Sequence, residues 1–361
     1  MNTAVILIRN EIEKRGVISF AHFMALSLYT PGAGYYECSQ RIGRSGDYFT
    51  SVSPGSLYGE LLGFQFAEWL EDSGCMDIVE GGAHDGQLAL DIFNYLRKYR
   101  LDLVGELRYL LVEPSAIRRK WQEDKLESYI GQVIWHTSWS SVSKNDVRGI
   151  IYGNELMDAF PVHRLGWDKQ QKKWFEWGVT AAGKEFGWKR MDKPALKSLR
   201  SGTFQVPYVL RQHLPDGFVT VSSPEAANWW HEAACRLGKG RLLAIDYGLD
   251  AEAFFSPERI DGTLRAFKEH KLIGDLLANP GQQDITASVN FTVLRTMGEL
   301  AGLSSRPMET QEKFLTCVFE RTLSKPHKFP EWTEGRRRQF KTLIHPEHFG
   351  RQFRVLEQSR G

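Results

Sequence analysis

The sequence predicts an open, doubly wound α/β fold with a mostly parallel central sheet, and three observations predict it. Residues 77–91 read as a strand, a glycine turn and a helix in succession. Ile78 and Val79 end a short apolar run, Gly81, Gly82 and Gly86 turn the chain, and Leu88, Leu90, Ile92 and Phe93 supply the apolar positions of a helix. Residues 107–113, Leu-Arg-Tyr-Leu-Leu-Val-Glu, are a near-continuous apolar run ended by a carboxylate, the pattern of a strand buried on both faces. Residues 149–153 and 240–248 repeat that pattern, each running straight into polar residues. In such sheets ligands bind beyond the carboxyl ends of the strands, so the residues just past these runs are the first candidates for function.

The 361 residues suffice for one large domain with insertions or for two domains, and 11 Trp and 21 Phe can furnish a sizeable core. A formal charge of +2 argues against a nucleic-acid protein dominated by phosphate contacts. The four cysteines, Cys38, Cys75, Cys235 and Cys317, lie far apart with no CxxC, and are expected to be reduced thiols of a cytoplasmic protein. The apolar run at residues 4–8 is too short for a signal peptide, and no stretch approaches a membrane span.

Taken in order, residues 3–15 predict an amphipathic helix stopped by Gly16, and Ser19 caps a second helix that ends at Thr30-Pro31-Gly32. Residues 31–56 predict a long ordered loop, with Asp47 in its Gly-Arg-Ser-Gly-Asp run. Residues 57–72 predict a helix, and 118–129 a charged one. Residues 133–136 are a short strand, and 149–153 another that enters Asn154-Glu155-Leu156-Met157-Asp158. Glu155 and Asp158 are three apart, so one helical turn would set both carboxylates on one side. Residues 162–202 alternate aromatic and charged residues and predict antiparallel hairpins inserted on the sheet. A helix is expected over 222–237. The stretch 249–291 reads as irregular and as a candidate substrate cover, and helices follow over 291–301 and 311–323. The basic run Arg336-Arg337-Arg338 reads as one solvated face of a helix. Apolar runs 342–344 and 352–356 flank a Pro/Gly turn and predict a terminal hairpin. His345 and His348 have no third ligand nearby in sequence, so no metal site is expected. The expected organisation is a helical region and loop over 1–73, then a core over 74–361, with an inserted subdomain at about 163–238 and a covering segment at about 249–291.

The turn lacks the middle glycine of a dinucleotide site, since the run from Gly81 is Gly-Gly-Ala-His-Asp-Gly. A carboxylate at Glu80 would repel a pyrophosphate but suits the sulfonium and ammonium of S-adenosylmethionine. The turn therefore resembles the E-x-G-x-G-x-G loop of class I methyltransferases. Further stretches resemble one family, the MidA-type methyltransferases: Gly34-Tyr35-Tyr36, Gly46-Asp47, Asn154-Glu155-Leu156-Met157-Asp158-Ala159-Phe160-Pro161, Ile245-Asp246-Tyr247-Gly248, Gly262-Thr263-Leu264-Arg265-Ala266 and Asp284-Ile285-Thr286-Ala287. The resemblance runs nearly end to end and is weakest over 165–230. It implies a Rossmann-like core closed by an antiparallel pair, added N-terminal helices, an inserted subdomain, S-adenosylmethionine as cofactor, and a protein substrate, methylated on arginine by the mitochondrial members. The chain departs from the family at His84, where glycine is usual, and after Thr50, where no glutamate follows.

On this reading Glu80, Gly82, His84, Gly86, Glu113 and Asn154 hold the cofactor, with Glu113 on the ribose hydroxyls. Glu155 and Asp158 bind and deprotonate the acceptor, and Asp47 closes the site from its loop. A homodimer is compatible with the sequence. Two other readings stay open: a binding or assembly protein that keeps the fold but transfers methyl groups poorly, and a small-molecule methyltransferase.

Overall fold

The computed structural model describes residues 2–38, 50–195, 204, 206–269 and 271–361. They fall into two compact units, each assembled from three stretches of chain. Residues 49–157, 229–248 and 295–361 form one unit; residues 1–48, 158–228 and 249–294 form the other.

The first of these contains the parallel sheet. Its six main strands are β1 (Asp77–Gly81), β2 (Arg108–Val112), β3 (Val133–His136), β4 (Val147–Asn154), β5 (Leu237–Leu249) and β6 (Phe353–Arg360). Their order across the sheet is β6-β5-β4-β1-β2-β3, and all neighbours are parallel except β6 on β5. The order reverses between β1 and β4, which is where doubly wound sheets open a ligand crevice. β1 is buried along its whole length, as its unbroken apolar neighbours demand. Ile78, Tyr109, Ile150 and Leu243 pack in one core with Leu61, Phe64 and Phe66 of the helix Leu57–Ser73 and Ile92 and Phe93 of the helix Gln87–Tyr99.

The expected terminal hairpin does not form. Residues 334–343 are helical, capped by Thr333, whose hydroxyl accepts from the Arg336 N–H, and Phe340 and Leu343 are their buried face. Arg336 pairs with Glu60. The strand that was expected to fold back on 342–344 is β6, which instead runs antiparallel to β5 through eight register pairs from Gly240–Arg360 to Tyr247–Phe353.

The second unit has its own core, from Ile8, Phe20, Phe23 and Leu28 to Leu165, Val179, Phe255 and Ile285. Ser19 caps the helix Phe20–Tyr29 through the His22 N–H at 3.2 Å. The alternating aromatic segments form antiparallel strands His163–Asp168, Lys173–Ala182 and Glu185–Arg190, with Val219–Ser222 completing the sheet beside the first. The stretch expected to be irregular carries a small antiparallel sheet of Leu264–Lys268, Lys271–Ile273 and Asp284–Ala287. Among the described residues no helix is long and apolar enough to cross a membrane.

Candidate active site

Register brings the candidate residues to one edge. Gly81 of β1 pairs with Val112 of β2 on one side and Gly153 of β4 on the other, and Gly153 pairs with Ala244 of β5. One residue further on stand Gly82, Glu113, Asn154 and Ile245. Glu155 and Asp246 follow. The sheet order alone therefore collects residues that lie far apart in the sequence.

The turn after β1 is built from residues that tolerate a left-handed backbone. Gly82 has φ of 71° and Gly86 of 86°, and His84 shares that conformation at 46°. A side chain at Gly82 would place its Cβ 2.6 Å from Leu156 Cδ1, so the conformation calls for glycine and an added methyl would also have to push the Leu156 side chain aside. The turn closes through Gly86 N–H to the Ala83 carbonyl at 2.7 Å, and the Asp85 carboxylate caps the helix at the Gln87 N–H, 3.1 Å away. Burial would raise the Asp85 carboxyl, but His84 and Lys125 hold it down at about 2. The His84 ring lies 5.9 Å from Trp121, and its carbonyl accepts from Gln122 Nε2 at 3.0 Å.

Glu80 sits under this turn rather than at its lip. It is 3 % exposed, and its Oε2 accepts from the Tyr109 hydroxyl at 2.8 Å, which in turn meets the Tyr152 hydroxyl at 2.7 Å. Burial pushes its carboxyl up to about 7, against the hydrogen bonds from Tyr152 and Tyr109, which favour the charged form. Glu113 is equally buried. Its Oε1 accepts from the Ser115 N–H at 2.9 Å and from Arg118 at 2.8 Å, and its Oε2 from Gln122 Nε2 at 3.3 Å. Gln122 thus ties the end of β2 to the glycine turn, and Trp135 Nε1 fixes its orientation by donating to its Oε1 at 3.0 Å.

After β4 the chain turns abruptly. Glu155 has φ of 49°, and its N–H donates to the Ile245 carbonyl at 2.9 Å. The helical turn expected to carry Glu155 and Asp158 together does not form: Glu155 is left-handed, and the short 3-10 turn covers only Met157–Ala159. Asp246, fully buried at the end of β5, anchors the start of that turn by accepting from the Met157 N–H at 2.7 Å. The Glu155 Oε1 accepts from the Ser51 N–H at 2.8 Å and from Asn154 Nδ2 at 3.3 Å. Asn154 Oδ1 accepts from the Tyr58 hydroxyl at 2.5 Å. Burial pushes the Glu155 carboxyl up to about 7, against the donors on Ser51 and Asn154.

Of the residues named from the sequence, Glu80, Gly82, His84, Gly86, Glu113, Asn154 and Glu155 fall in this unit. Asp158 opens a segment of the other unit. Asp47 lies outside the described residues. Tyr58, Gln122 and Ser51 were not anticipated. Tyr58 lies on a helix whose sequence marks only an apolar face, Gln122 on one that reads as charged, and Ser51 meets Glu155 through its backbone N–H. Asp246 was legible as the polar end of an apolar strand. No group of three or more His, Cys, Asp or Glu side chains that could hold a metal ion occurs among the described residues.

Residues 61–308, more than half of the chain, match the family model described as "Putative S-adenosyl-L-methionine-dependent methyltransferase". The chain belongs to this family. It is 28% identical over 97% of its length to the protein arginine methyltransferase NDUFAF7 homolog, mitochondrial, of Drosophila melanogaster, covering 83% of that protein. It is likewise 28% identical to Homo sapiens protein arginine methyltransferase NDUFAF7, mitochondrial, over 84% of this chain and 70% of that one. A Burkholderia thailandensis protein crystallised with S-adenosyl-homocysteine superposes with a TM-score of 0.81 at 26% identity, over 99% of this chain and 92% of that one.

S-adenosylmethionine is the cofactor of this family, and the residues present fit it. Glu80, sealed beneath the glycine turn with its carboxyl pushed up to about 7, is a group whose charged form a cationic ligand at that turn would favour. A second carboxylate, Glu113, stands at the end of the second strand, the place from which such folds hold ribose hydroxyls.

Proposed function

We propose that this chain transfers the methyl group of S-adenosylmethionine to an arginine side chain of a protein. The single observation that carries the reading is Glu155: a carboxyl held off the helical path at the end of β4, pushed up to about 7, with its Oε1 fixed by the Ser51 N–H and the Asn154 amide. Guanidinium stays charged in water, so its nitrogen becomes nucleophilic only where a carboxylate draws the charge to the other nitrogens. Methylation also leaves a proton to be removed, and a carboxyl near 7 is matched to that task at neutral pH.

The cofactor supplies an electrophilic methyl group on a sulfonium. The chain's residues hold and align. Gly82 and Gly86 would let backbone approach the cofactor closely, and Glu113 would hold its ribose hydroxyls. Asn154 and His84 line the same end, and Glu80 contributes its charge from beneath the turn. Glu155 would take up the proton that the arginine nitrogen loses on methylation. The relatives named as protein arginine methyltransferases support the choice of acceptor. We place the activity in the cytoplasm, a reading supported by four well-separated free thiols.

The test is transfer from S-adenosylmethionine carrying a deuterated methyl group to the proteins of a cell extract, read by peptide mass spectrometry. Mass-shifted arginine, absent with Glu155→Gln, is the expected result. Label confined to low-mass products would instead favour a small-molecule substrate, and no label at all a binding or assembly role.

A further inference from the structure

Tyr58 stands in the first turn of the helix Leu57–Ser73, fully buried, with a hydroxyl that needs a partner. Burial keeps its phenol protonated well beyond the usual tyrosine range, so the group is a permanent donor. It donates to Asn154 Oδ1, and the Ser51 hydroxyl also meets it. The assignment of that amide is internally consistent. The atom facing the Glu155 carboxylate must be the one that donates, Nδ2 at 3.3 Å, and the atom left for the Tyr58 hydroxyl must be the one that accepts. Three donors face the Glu155 carboxyl: the Ser51 N–H and the Asn154 amide, both on Oε1, and the Ser51 hydroxyl. Together they fix the rotation of the carboxyl.

We propose that Tyr58 is a positioning residue for methyl transfer, acting through Asn154 to fix the orientation of the Glu155 carboxyl; this rests on the reading of Glu155 given above. Remove the hydroxyl, and the amide of Asn154 is free to rotate. One of the two donors on Oε1 is then lost, and the carboxyl turns. Both amide atoms of Asn154 are committed to Tyr58 and Glu155, so here it aligns Glu155 rather than holding the cofactor; the glycine turn and Glu113 make no hydrogen bond to Tyr58 among the described contacts, so cofactor affinity is expected to survive.

The test compares Glu155→Gln, Tyr58→Phe, Asn154→Ala and the Tyr58→Phe/Asn154→Ala double variant. Each is assayed for deuterated methyl transfer to extract proteins and for S-adenosylhomocysteine binding by calorimetry. Phenylalanine keeps the ring, and a melting curve checks that the core is intact. Turnover of Tyr58→Phe is expected to fall about tenfold, the loss of one buried hydrogen bond expressed as rate, while its Kd for S-adenosylhomocysteine changes less than about twofold. The double variant is expected to be no slower than Asn154→Ala, because the two residues act in series. Wild-type turnover in Tyr58→Phe, additive losses in the double variant, or a loss of cofactor affinity equal to the loss of turnover would each overturn the proposal. Full turnover in Glu155→Gln would overturn the reading beneath it, whatever Tyr58→Phe does, and so the two failures are told apart.

Discussion

At the scale of the residue, the informative groups are two buried glutamates, Glu80 and Glu113. Glu80 is nearly sealed in the core, and burial raises its carboxyl from its ordinary 4.5 to about 7. The folded state therefore holds a proton on Glu80 between those values that the unfolded chain has released. Stability from this group is present in full below about 4.5 and is lost as pH rises through about 7. Glu80→Gln removes that dependence. Chemical denaturation at pH 5 and pH 8 should find the variant gaining on the wild type by a few kcal/mol between the two. A pH-independent difference would contradict the assigned burial. Glu113 shows why the choice of substitution matters. Removing its side chain altogether would take from the buried Arg118 guanidinium an acceptor held at 2.8 Å, and the loss of stability would mask any effect on binding. Neither partnership was visible in the sequence, where Glu80 read as lining the ligand and Glu113 as open to ribose.

At the scale of the element, the glycine turn and the turn after β4 carry the site, and the two differ in how far the sequence revealed them. The first was legible because an apolar strand, three glycines and a helical period can hardly be combined otherwise. His84 stands where glycine is usual in the family, and it carries a positive φ. Its ring neighbours Trp121, on the helix Ala116–Lys125. Gly82→Ala tests the turn. The added methyl must both accept φ of 71° and displace Leu156, which should cost a few kcal/mol. Lower thermal stability together with lost S-adenosylhomocysteine binding is expected; an unchanged melting temperature would mean the turn is not the tight one described. The second turn was misread. Spacing alone put Glu155 and Asp158 on one helical face, but the left-handed Glu155 is stabilised by a long-range bond to the Ile245 carbonyl, which no local pattern announces. The terminal strand failed for the same reason. Local pattern made a hairpin of 342–356, while the partner that wins, β5, lies a hundred residues earlier.

At the scale of the whole molecule, the parallel core was legible because buried strands declare themselves as apolar runs, and their polar ends declare the ligand edge. The order β6-β5-β4-β1-β2-β3 was not, and it is that order which gathers Glu80, Glu113, Asn154 and Glu155 from four stretches of chain. The two separate cores were also beyond the sequence, since each draws on three distant segments. The most direct measurement is calorimetric titration of S-adenosylhomocysteine into the wild type and Glu113→Gln, which keeps the side chain's size and an acceptor for Arg118. A single site in the wild type, weakened about tenfold or more in the variant by loss of a charged acceptor for the ribose hydroxyls, is the result expected. No binding to the wild type, or equal affinity in both, would contradict a cofactor site at the carboxyl ends of these strands.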